Sequence, residues 1–306
     1  MKRFFKGKLI ITAEYFVLHG AQSLALPTRL GQHFEFQSKL QRNILNWTSN
    51  APATPNWFQA SIQLQPLALL HASDAQKGKR LLAILEALNQ LRPNFLATRG
   101  GELNTQLDFD PNWGLGSSST LICFMAEWAA VNPYALLEQT FGGSGYDIAC
   151  GNASQPLLYR KISSIPEVQP CNFTPTFREQ LYFVYHNKKQ SSQAAIHQLK
   201  DKKPSKQHLE QMDALTQAVL SAADVEDFQK QLKAHETLVG NFLGQPPLQE
   251  THFADFNGTV KSLGAWGGDF FLYSHQGRIF YGPRSDYGCR KKDDDLNHSV
   301  HSFCWS

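Results

Sequence analysis

The chain has 306 residues, of which 42% are hydrophobic and 18% charged, and its formal net charge is +3. These values are ordinary for a globular protein that forms one large domain or two of average size, and they exclude a disordered chain. A charge so close to neutrality, without a basic block, excludes the strong positive field that nucleic-acid binding requires.

The cysteines and the amino terminus indicate the cellular compartment. The chain has five cysteines, an odd number, and no two of them have the C-x-x-C spacing. In a chain of this length that pattern favours a reducing compartment over a disulfide framework or a zinc site. Lys6 and Lys8 interrupt the apolar residues near the amino terminus, and no segment approaches the ~20 apolar residues of a membrane span. We therefore expect a cytoplasmic protein that does not engage a membrane.

Strand and helix patterns alternate in the first hundred residues. Residues 8–13 and 32–37 have the composition of strands and flank a turn at residues 19–20. From residue 77 to 92, leucine and isoleucine recur at helical spacing, and Pro93 ends the run. This order predicts a mixed structure of strands and helices.

A strand, a glycine loop and a helix follow one another between residues 102 and 131. Residues 102–109 alternate between apolar and polar side chains, which predicts a half-buried strand. Residues 110–116, with the sequence DPNWGLG, predict a loop. Residues 117–131 have helical composition, and we expect Pro133 to mark the end of that helix. Phosphate groups bind at junctions of this kind.

The glycine loop has the composition of a phosphate-binding loop. Gly114 and Gly116 allow the backbone to approach an anion, and the first N–H groups of the helix attract it. The three serines at residues 117–119 add hydroxyl groups for phosphate oxygens or for magnesium. An ordinary serine-capped helix after a glycine turn is the alternative. The P-loop and dinucleotide motifs do not match, because the loop has no lysine and no third glycine, and Thr120 breaks the G-x-S-x-G pattern of hydrolases.

Two further glycine clusters accompany this loop. Residues 142–151, with the sequence GGSGYDIACG, surround Asp147 with glycines and small residues, so that its carboxylate can lie close to a substrate hydroxyl. A glycine turn in which Asp147 is only a local cap is the alternative. Residues 261–269 form a third cluster before the apolar strand 270–273, and alone they indicate no more than a tight turn.

The carboxyl-terminal half begins after a strand pair and a loose crossing over residues 151–180. A strand is predicted over residues 181–186, and helices near residues 205–223 and 225–243. His235 lies on the apolar stripe of the second helix and is predicted to be a core or half-buried histidine rather than a ligand.

The last residues follow no pattern of this kind. Residues 285–306 contain neither a helical stripe nor a convincing strand. We expect this tail to be poorly ordered, and we interpret it as aberrant, as a shifted reading frame would make it.

Taken together, three segments resemble motifs of the galactokinase–homoserine kinase–mevalonate kinase–phosphomevalonate kinase (GHMP) superfamily. The first motif is residues 7–20 (GKLIITAEYFVLHG), the second is residues 114–119 (GLGSSS), and the third is residues 261–268 (KSLGAWGG). The resemblance covers about residues 6–273. The string GYDIA at residues 145–149 further resembles a subgroup of these kinases that is associated with isoprenoid-precursor synthesis.

The resemblance implies a two-domain α+β GHMP kinase fold with ATP in the cleft between the domains. Residues 1–170 would form the amino-terminal ATP-binding domain, an α+β domain with a βαβ unit. Residues 171–284 would form a ferredoxin-like α+β domain, followed by the tail at 285–306. The implied partners are ATP, Mg²⁺ and a small-molecule substrate, and a homodimer is left open.

The resemblance also implies roles for individual residues. The ATP phosphates would be held by Gly114, Leu115, Gly116, Ser117, Ser118, Ser119, Gly264, Gly267 and Gly268. The acceptor would be bound by Glu14, Ser144, Gly145 and Tyr146, and Glu14, at an acidic position of the first motif, would also order the site. Mg²⁺ would be held by Ser118 and Glu138.

The implied catalytic residues are Asp147 and Lys8. Asp147 would accept the proton of the substrate hydroxyl or orient that hydroxyl. Lys8 would stabilise the charge of Asp147 and the charge that develops on the transferred phosphoryl group. Such roles suit phosphoryl transfer, which depends on positioning and on cations around negative charge. A nearby lysine also favours the ionised form of an aspartate.

The function implied by the resemblance is ATP-dependent phosphorylation of mevalonate to phosphomevalonate. A phosphomevalonate kinase is the alternative within the superfamily, and it would need arginine or lysine side chains for the second phosphate. Lys188, Lys189 and Arg160 are available for that purpose. A diphosphomevalonate decarboxylase and a catalytically silent nucleotide-binding relative are the remaining alternatives.

Overall fold

The computed structural model of the protein describes residues 1–39, 43–185, 202–264, 266 and 270–274. Within these ranges the strands are β1 (Lys2–Ile10), β2 (Ser23–Ser38), β3 (Ile44–Ala51), β4 (Thr54–Leu64), β5 (Leu67–Ala72), β6 (Gly101–Leu107), β7 (Leu157–Ile162), β8 (Ile165–Pro170), β9 (Leu181–Tyr185), β10 (Thr259–Leu263) and β11 (Phe270–Ser274). The helices in the same ranges are α1 (Ala75–Leu91), α2 (Ser117–Ala129), α3 (Pro133–Thr140), α4 (Tyr146–Gly151), α5 (Lys206–Leu220), α6 (Val225–Leu243) and α7 (Leu248–His252).

The larger sheet is built around the long strand β2. Its strand order is β5-β4-β3-β6-β2-β7-β8, and β1 also pairs with β2. Strands β3 and β6 are parallel, whereas the other neighbours are antiparallel. Because β2 has 16 residues, it pairs with β6 near its end and with β7 near its start. The two segments that follow β6 and precede β7, which carry the second motif and Asp147, therefore lie beside the same central strand.

Helices α1, α2 and α3 cover one face of this sheet with a continuous apolar core. Four residues of α1 at helical spacing are buried: Leu81, Ile84, Leu85 and Leu88. Phe124 of α2 stacks on Phe34 of β2 with 4.4 Å between the ring centroids. Asp74 caps the start of α1 by accepting hydrogen bonds from the backbone N–H groups of Gln76 and Lys77. The packing fixes the direction of α2, and with it the helix start that follows the second motif.

The smaller sheet and helices α5, α6 and α7 form the other part of the described chain. Its strand order is β10-β11-β9, with antiparallel pairing throughout. Helices α5 and α6 also pack against the 3-10 turn Phe16–His19 of the first motif, where Met212 and Val239 are buried with Phe16. The carboxyl-terminal helices thus contact the first motif directly.

Most predicted elements are confirmed, with one clear correction. Pro133 does not mark the end of α2. Helix α2 ends at Ala129 because Ala130 adopts a left-handed conformation with φ of 52°. Pro133 instead opens α3, where the side chain of Asn132 accepts a hydrogen bond from the N–H of Tyr134 at 2.8 Å. The sequence also missed strands β3 to β5, and β1 begins earlier and ends earlier than the predicted strand at 8–13.

The proposed division into domains stays a prediction. All strands of the larger sheet lie before residue 171, and those of the smaller sheet lie between residues 181 and 274. The tail at 285–306 lies outside the described residues. Within the described ranges, no helix combines the length and the apolar character needed to cross a bilayer.

Candidate active site

The second motif forms a tight loop that is tied to β1 and opens into α2. Gly114 and Gly116 have φ of 71° and 99°, which is the left-handed region that favours glycine. The backbone N–H of Lys8 donates to the carbonyl of Leu115 at 2.9 Å. Helix α2 then begins at Ser117, so that its first N–H groups have no partner within the helix. The loop therefore offers backbone donors at a helix start.

The three serines of this loop have different environments. Ser118 is exposed and Ser117 is half-buried, so both can present their hydroxyl groups outward. Ser119 is buried, and its hydroxyl donates to the carbonyl of Gly116 at 2.8 Å. The hydroxyl of Ser119 is thus committed to shaping the turn. Leu115 is fully buried and anchors the loop in the core.

Lys8 connects the loop to the start of α4. Its stem lies across Gly116, where an added Cβ would be 3.1 Å from Lys8 Cγ. Its ammonium group lies 5.6 Å from the centroid of the Tyr146 ring. A side chain at residue 116 would therefore push Lys8 away from α4. The glycine at this position is required both by its backbone conformation and by this close approach.

Asp147 lies in the first turn of α4 and is half-buried. Its Oδ1 accepts a hydrogen bond from the N–H of Ile148 at 3.1 Å. Burial raises the pKa of Asp147 above its ordinary value, and the positive charge of Lys8 opposes that rise. The same burial raises the pKa of the neighbouring Tyr146 to about 12. Asp147 is thus a carboxyl group whose affinity for a proton is increased by its surroundings.

Two tyrosines hold the turn that precedes Asp147. The hydroxyl of Tyr159 donates to the carbonyl of Ser144 at 2.5 Å, and both residues are buried. Gly145 has φ of 88°, and an added Cβ there would be 3.0 Å from the ring of Tyr134. The turn therefore has a fixed position relative to β7 and α3.

A cavity of ≈ 420 Å³ adjoins the second motif. Asn112, Ser117 and Ser118 line one part of it. Aromatic side chains line another part: Trp47, Trp57, Phe58 and Phe141. Its volume lies within the range of ligand pockets, about 300–1,000 Å³.

Two cations stand among the aromatic side chains of this cavity. Arg80 lies 5.1 Å from the ring centroid of Phe141, and Lys77 lies 5.7 Å from that of Trp57. No carboxylate of the described residues lines the cavity. Lys77 is also paired with Asp74. The aromatic lining suits a ligand with a planar apolar group.

Comparisons with known proteins bear on the fold. No protein-family model matches the sequence, and no curated protein matches it. Phosphomevalonate kinase of Streptococcus pneumoniae, in complex with phosphomevalonate and AMPPNP, matches with a TM-score of 0.65 and 16% identity over 90% of this chain and 93% of that one. Mevalonate kinase of Methanococcus jannaschii matches with a TM-score of 0.60 and 14% identity over 90% of each chain. Galactokinase of Lactococcus lactis, complexed with galactose, has a TM-score of 0.60 and 12% identity over 90% of this chain and 85% of that one.

The chain has the GHMP kinase fold. The fold class predicted from the three motifs is therefore confirmed. Identities this low show the fold alone, so the substrate of this GHMP-fold protein has to be argued from its own site.

Glu14, which was predicted to bind the acceptor, is surrounded by protein side chains. Within the GHMP fold it is buried, and its Oε1 lies 2.6 Å from the ammonium nitrogen of Lys261. Its Oε2 lies 3.2 Å from Nε2 of His235. Burial raises the pKa of Glu14, but the groups that contact it, Lys261 foremost, bring that pKa below its ordinary value. This carboxylate is engaged by protein side chains, and its predicted contact with the acceptor stays a prediction.

The remaining predicted residues of the GHMP site are only partly located. Gly264 has φ of 75° with open space where a side chain would project, whereas Gly267 and Gly268 lie outside the described residues. Glu138 lies on the exposed face of α3. No group of three or more metal-binding side chains occurs among the described residues.

Sequence reasoning missed the cavity and the partners of Glu14. The lining of the cavity comes from β3, β4, α1 and the residue after α3, which no local motif joins. His235 was correctly predicted to be a buried core histidine. Its contact with the first motif had no local signal, because Ala13 and His235 are 222 residues apart.

Proposed function

We propose that the protein is an ATP-dependent small-molecule kinase that phosphorylates the hydroxyl group of an isoprenoid precursor, with mevalonate as the first candidate. The observation that carries this proposal is the position of Lys8. Its stem lies against Gly116 of the second motif, and its ammonium group acts on Tyr146 and Asp147. A phosphate-binding loop and a carboxylate base are thereby adjacent to one cation.

The proposed nucleotide site combines the second motif with the adjoining cavity. The unpaired N–H groups at the start of α2 and the hydroxyls of Ser117 and Ser118 would bind the phosphates. The aromatic part of the cavity would take the planar base, with Arg80 and Lys77 beside it. Gly264, Gly267 and Gly268 of the third motif would approach the phosphates from the carboxyl-terminal part. The phosphomevalonate kinase with the same fold was solved with AMPPNP, which supports ATP as the nucleotide.

In the proposed reaction, Asp147 accepts the proton of the acceptor hydroxyl as the hydroxyl oxygen forms a bond to the γ-phosphorus. The bond between the γ-phosphorus and the oxygen that bridges to the β-phosphate breaks, and ADP leaves. Lys8 stabilises the negative charge that spreads over the transferred group. The raised pKa of Asp147 makes its carboxylate a stronger base than an exposed aspartate.

The residues present fit a magnesium ion that is bound mainly through ATP. Mg²⁺ in such sites usually retains several waters and takes one or two protein ligands beside the phosphate oxygens. The exposed hydroxyl of Ser118, at the start of α2, is one suitable ligand, and Glu138 is the proposed second. When bound, the ion would neutralise charge on the β- and γ-phosphates.

The alternative acceptor, phosphomevalonate, needs additional cations. Arg160 was one of three candidates for binding its phosphate, but it is paired with Asp213 of α5. Asp213 also accepts a hydrogen bond from the N–H of Gln22 at 2.6 Å, so this pair is part of the packing. Lys188 and Lys189 lie outside the described residues. The pair with Asp213 therefore holds the Arg160 guanidinium in the packing between β7 and α5.

The test is ATP turnover with a panel of mevalonate, phosphomevalonate, homoserine and galactose. We expect turnover with mevalonate and its loss in Asp147→Ala, while ATP binding persists in that variant. Turnover with phosphomevalonate alone would select the alternative kinase. ATP binding without turnover of any isoprenoid precursor would favour a silent relative, and absence of ATP binding would overturn the proposal.

The proposal places this enzyme in the cytoplasm, as the odd number of cysteines suggests. In the described part of the chain, Cys123, Cys150 and Cys171 form no disulfide. A homodimer remains an expectation for which the oligomeric state in solution is the measurement.

A further inference from the structure

Four charged or ionisable side chains form a buried ion cluster, which consists of Glu14, His235, Glu236 and Lys261. Their side chains are between 0% and 4% exposed. The ammonium nitrogen of Lys261 lies 2.6 Å from Oε1 of Glu14 and 3.4 Å from Oε1 of Glu236. It also donates to the carbonyl of Ser262 at 2.8 Å. The cluster therefore has one lysine between two carboxylates.

The buried ion cluster joins the first and third motifs. Glu14 belongs to the first motif, and Lys261 is the first residue of the third motif. A second link runs parallel to this one, because the N–H of Trp266 donates to the hydroxyl of Tyr15 at 2.6 Å. Consecutive residues of the first motif thus hold both ends of the segment from Lys261 to Trp266.

Helix α6 supplies the frame for both motifs. The N–H of Ala13 donates to Nε2 of His235 at 2.9 Å. The N–H of Ser262 donates to Oε2 of Glu236 at 3.2 Å. One pair of adjacent helical residues therefore fixes the backbone of the first motif on one side and that of the third motif on the other.

The backbone on either side of Glu14 is strained. Ala13 and Tyr15 both have φ of 66°, in a region that residues other than glycine rarely adopt. Such conformations persist only when surrounding contacts over-determine them, and they occur preferentially at functional sites. Here those contacts come from His235, Lys261 and Trp266. Between and beside these two positions, the side chains of Glu14 and Tyr15 contact Lys261 and Trp266 of the third motif.

The buried ion cluster is not optimised for stability. Oε2 of Glu14 and Oε1 of Glu236 have no hydrogen-bond partner among the described residues. Nε2 of His235 accepts the hydrogen of Ala13 and lies 3.2 Å from Oε2 of Glu14. Buried charges that are incompletely paired often make a folded protein less stable than apolar side chains of similar size would. Their use here is better explained by the position that they impose on the two motifs.

We propose that Glu14 and Tyr15 are positioning residues for the nucleotide, which act through Lys261 and Trp266 on the third motif, rather than binding residues for the acceptor. This inference rests on the proposed function, in which the glycines of the third motif approach the ATP phosphates. It predicts that damage to the first motif at Glu14 weakens phosphate binding, although Glu14 lies in another segment of the chain.

The decisive experiment compares ATP with adenosine, which lacks the phosphates. In Glu14→Gln we expect the affinity for ATP to fall by about 10-fold or more, with the affinity for adenosine and the KM of the acceptor unchanged. An increased acceptor KM with unchanged ATP affinity would overturn the inference and support direct acceptor binding by Glu14. Equal losses for ATP and adenosine would also overturn it, because they would indicate a general distortion.

Two further variants keep the test informative if Glu14→Gln does not fold. Tyr15→Phe keeps the buried ring and removes only the hydroxyl that accepts the Trp266 N–H. We expect it to lower ATP affinity by about 3- to 10-fold without changing adenosine affinity. Leu88→Ala is the control for general destabilisation, because Leu88 is buried in the core between α1 and the larger sheet, which includes none of Glu14, Tyr15, Lys261 and Trp266. It should lower the melting temperature and leave the ratio of the two affinities unchanged.

Failure of the proposed function has a different signature. If the wild-type protein binds no ATP, the proposed function itself is wrong. If the wild type binds and turns over ATP while Glu14→Gln and Tyr15→Phe both retain wild-type ATP affinity, only the positioning inference is wrong.

Discussion

Two carboxylates in this molecule each have a lysine nearby, and their surroundings act on them in opposite directions. Asp147 and Lys8 belong to the candidate active site, and the pKa of Asp147 is raised because burial outweighs the effect of the lysine. Glu14 lies in the buried ion cluster with Lys261. Burial raises its pKa too, but the contacts made by Lys261 and its neighbours lower it below the ordinary value.

The two pairs differ in the balance between burial and charge. Lys261 donates directly to Glu14 at 2.6 Å, and this hydrogen bond favours the ionised carboxylate. The stem of Lys8 lies across Gly116 and its ammonium group lies over the ring of Tyr146, but the burial of Asp147 outweighs the effect of this charge. Glu14 is therefore kept ionised, whereas Asp147 is ready to take up a proton. The first arrangement suits positioning and the second suits catalysis.

The largest expected effect follows from removing the base in the active-site pair. In Asp147→Asn we expect kcat to fall by about 10²–10⁴-fold, which is the usual contribution of a general base. ATP affinity should change little, because the phosphates are assigned to the second and third motifs. Steady-state kinetics together with ATP titration measure both quantities. Retention of more than a tenth of the wild-type kcat would show that Asp147 is not the general base.

The same variant tests the raised pKa. A carboxyl group with a raised folded pKa contributes stability that is present below its unfolded pKa and is lost as the pH rises through the folded value. Asparagine does not ionise, so Asp147→Asn should be more stable than the wild type at neutral pH and equally stable in acid. Thermal unfolding at a series of pH values measures this difference. A variant that is less stable than the wild type at neutral pH contradicts the assigned direction.

The opposite behaviour is expected for the buried pair. Lys261→Met leaves Glu14 and Glu236 buried without their cation, and we expect a loss of about 3–5 kcal/mol in the free energy of unfolding. Because the folded pKa of Glu14 is lowered, its contribution to stability is present above the unfolded pKa and is lost as the pH falls through the folded value. The deficit of the variant should therefore shrink in acid. Urea unfolding at neutral and acidic pH is the measurement.

A double variant separates the ion pair from simple packing. Lys261→Met combined with Glu14→Gln removes both charges of the pair, so part of the lost stability should return. If the double variant loses as much free energy of unfolding as the two single variants lose together, the two side chains do not interact. The contrast between the two carboxylates would then have no basis.

Removing Lys8 should make the active-site carboxylate still more basic. Because Lys8 lowers the pKa of Asp147, Lys8→Met should move the acidic limb of the kcat/KM profile to higher pH. We also expect kcat to fall by about 10²-fold, since the charge near the transferred group is lost. Lys8→Arg keeps the charge and serves as the matched control. In this variant we expect the acidic limb of the kcat/KM profile to stay near its wild-type pH. A limb that does not move in Lys8→Met would show that Lys8 does not act on Asp147.

The sequence revealed the active-site pair better than the buried pair for a physical reason. The second motif and the Asp147 turn depend on glycines in left-handed conformations, and these leave a local signature in the sequence. The contact between Glu14 and Lys261 joins residues 247 positions apart. Neither residue has a local pattern that distinguishes a buried ion from an exposed one. Only the folded chain brings them together.

The missed strands have a comparable explanation. Residues of β3 alternate regularly between buried and more exposed positions, but one of the buried ones is Ser49. Its hydroxyl accepts hydrogen bonds from Nε1 of Trp47 and from the hydroxyl of Thr105 on the neighbouring strand. A buried serine satisfied in this way interrupts the apolar alternation by which a strand is recognised. Helix α1 has an uninterrupted stripe and an aspartate cap, so it was predicted to within two residues.

The smallest expected effect concerns the support of Asp147 rather than its charge. Tyr159→Phe keeps the buried ring but leaves the carbonyl of Ser144 without the hydroxyl that donates to it at 2.5 Å. A net hydrogen bond is worth about 0.5–1.5 kcal/mol, so we expect kcat to fall by about 3- to 10-fold as the turn before Asp147 loosens, with the KM for ATP unchanged. Tyr134→Phe keeps the ring that packs on Gly145 and should have the smaller effect. Equal losses in the two variants would mean that general packing around the turn, and not the hydrogen bond to Ser144, holds Asp147 where its environment makes it basic.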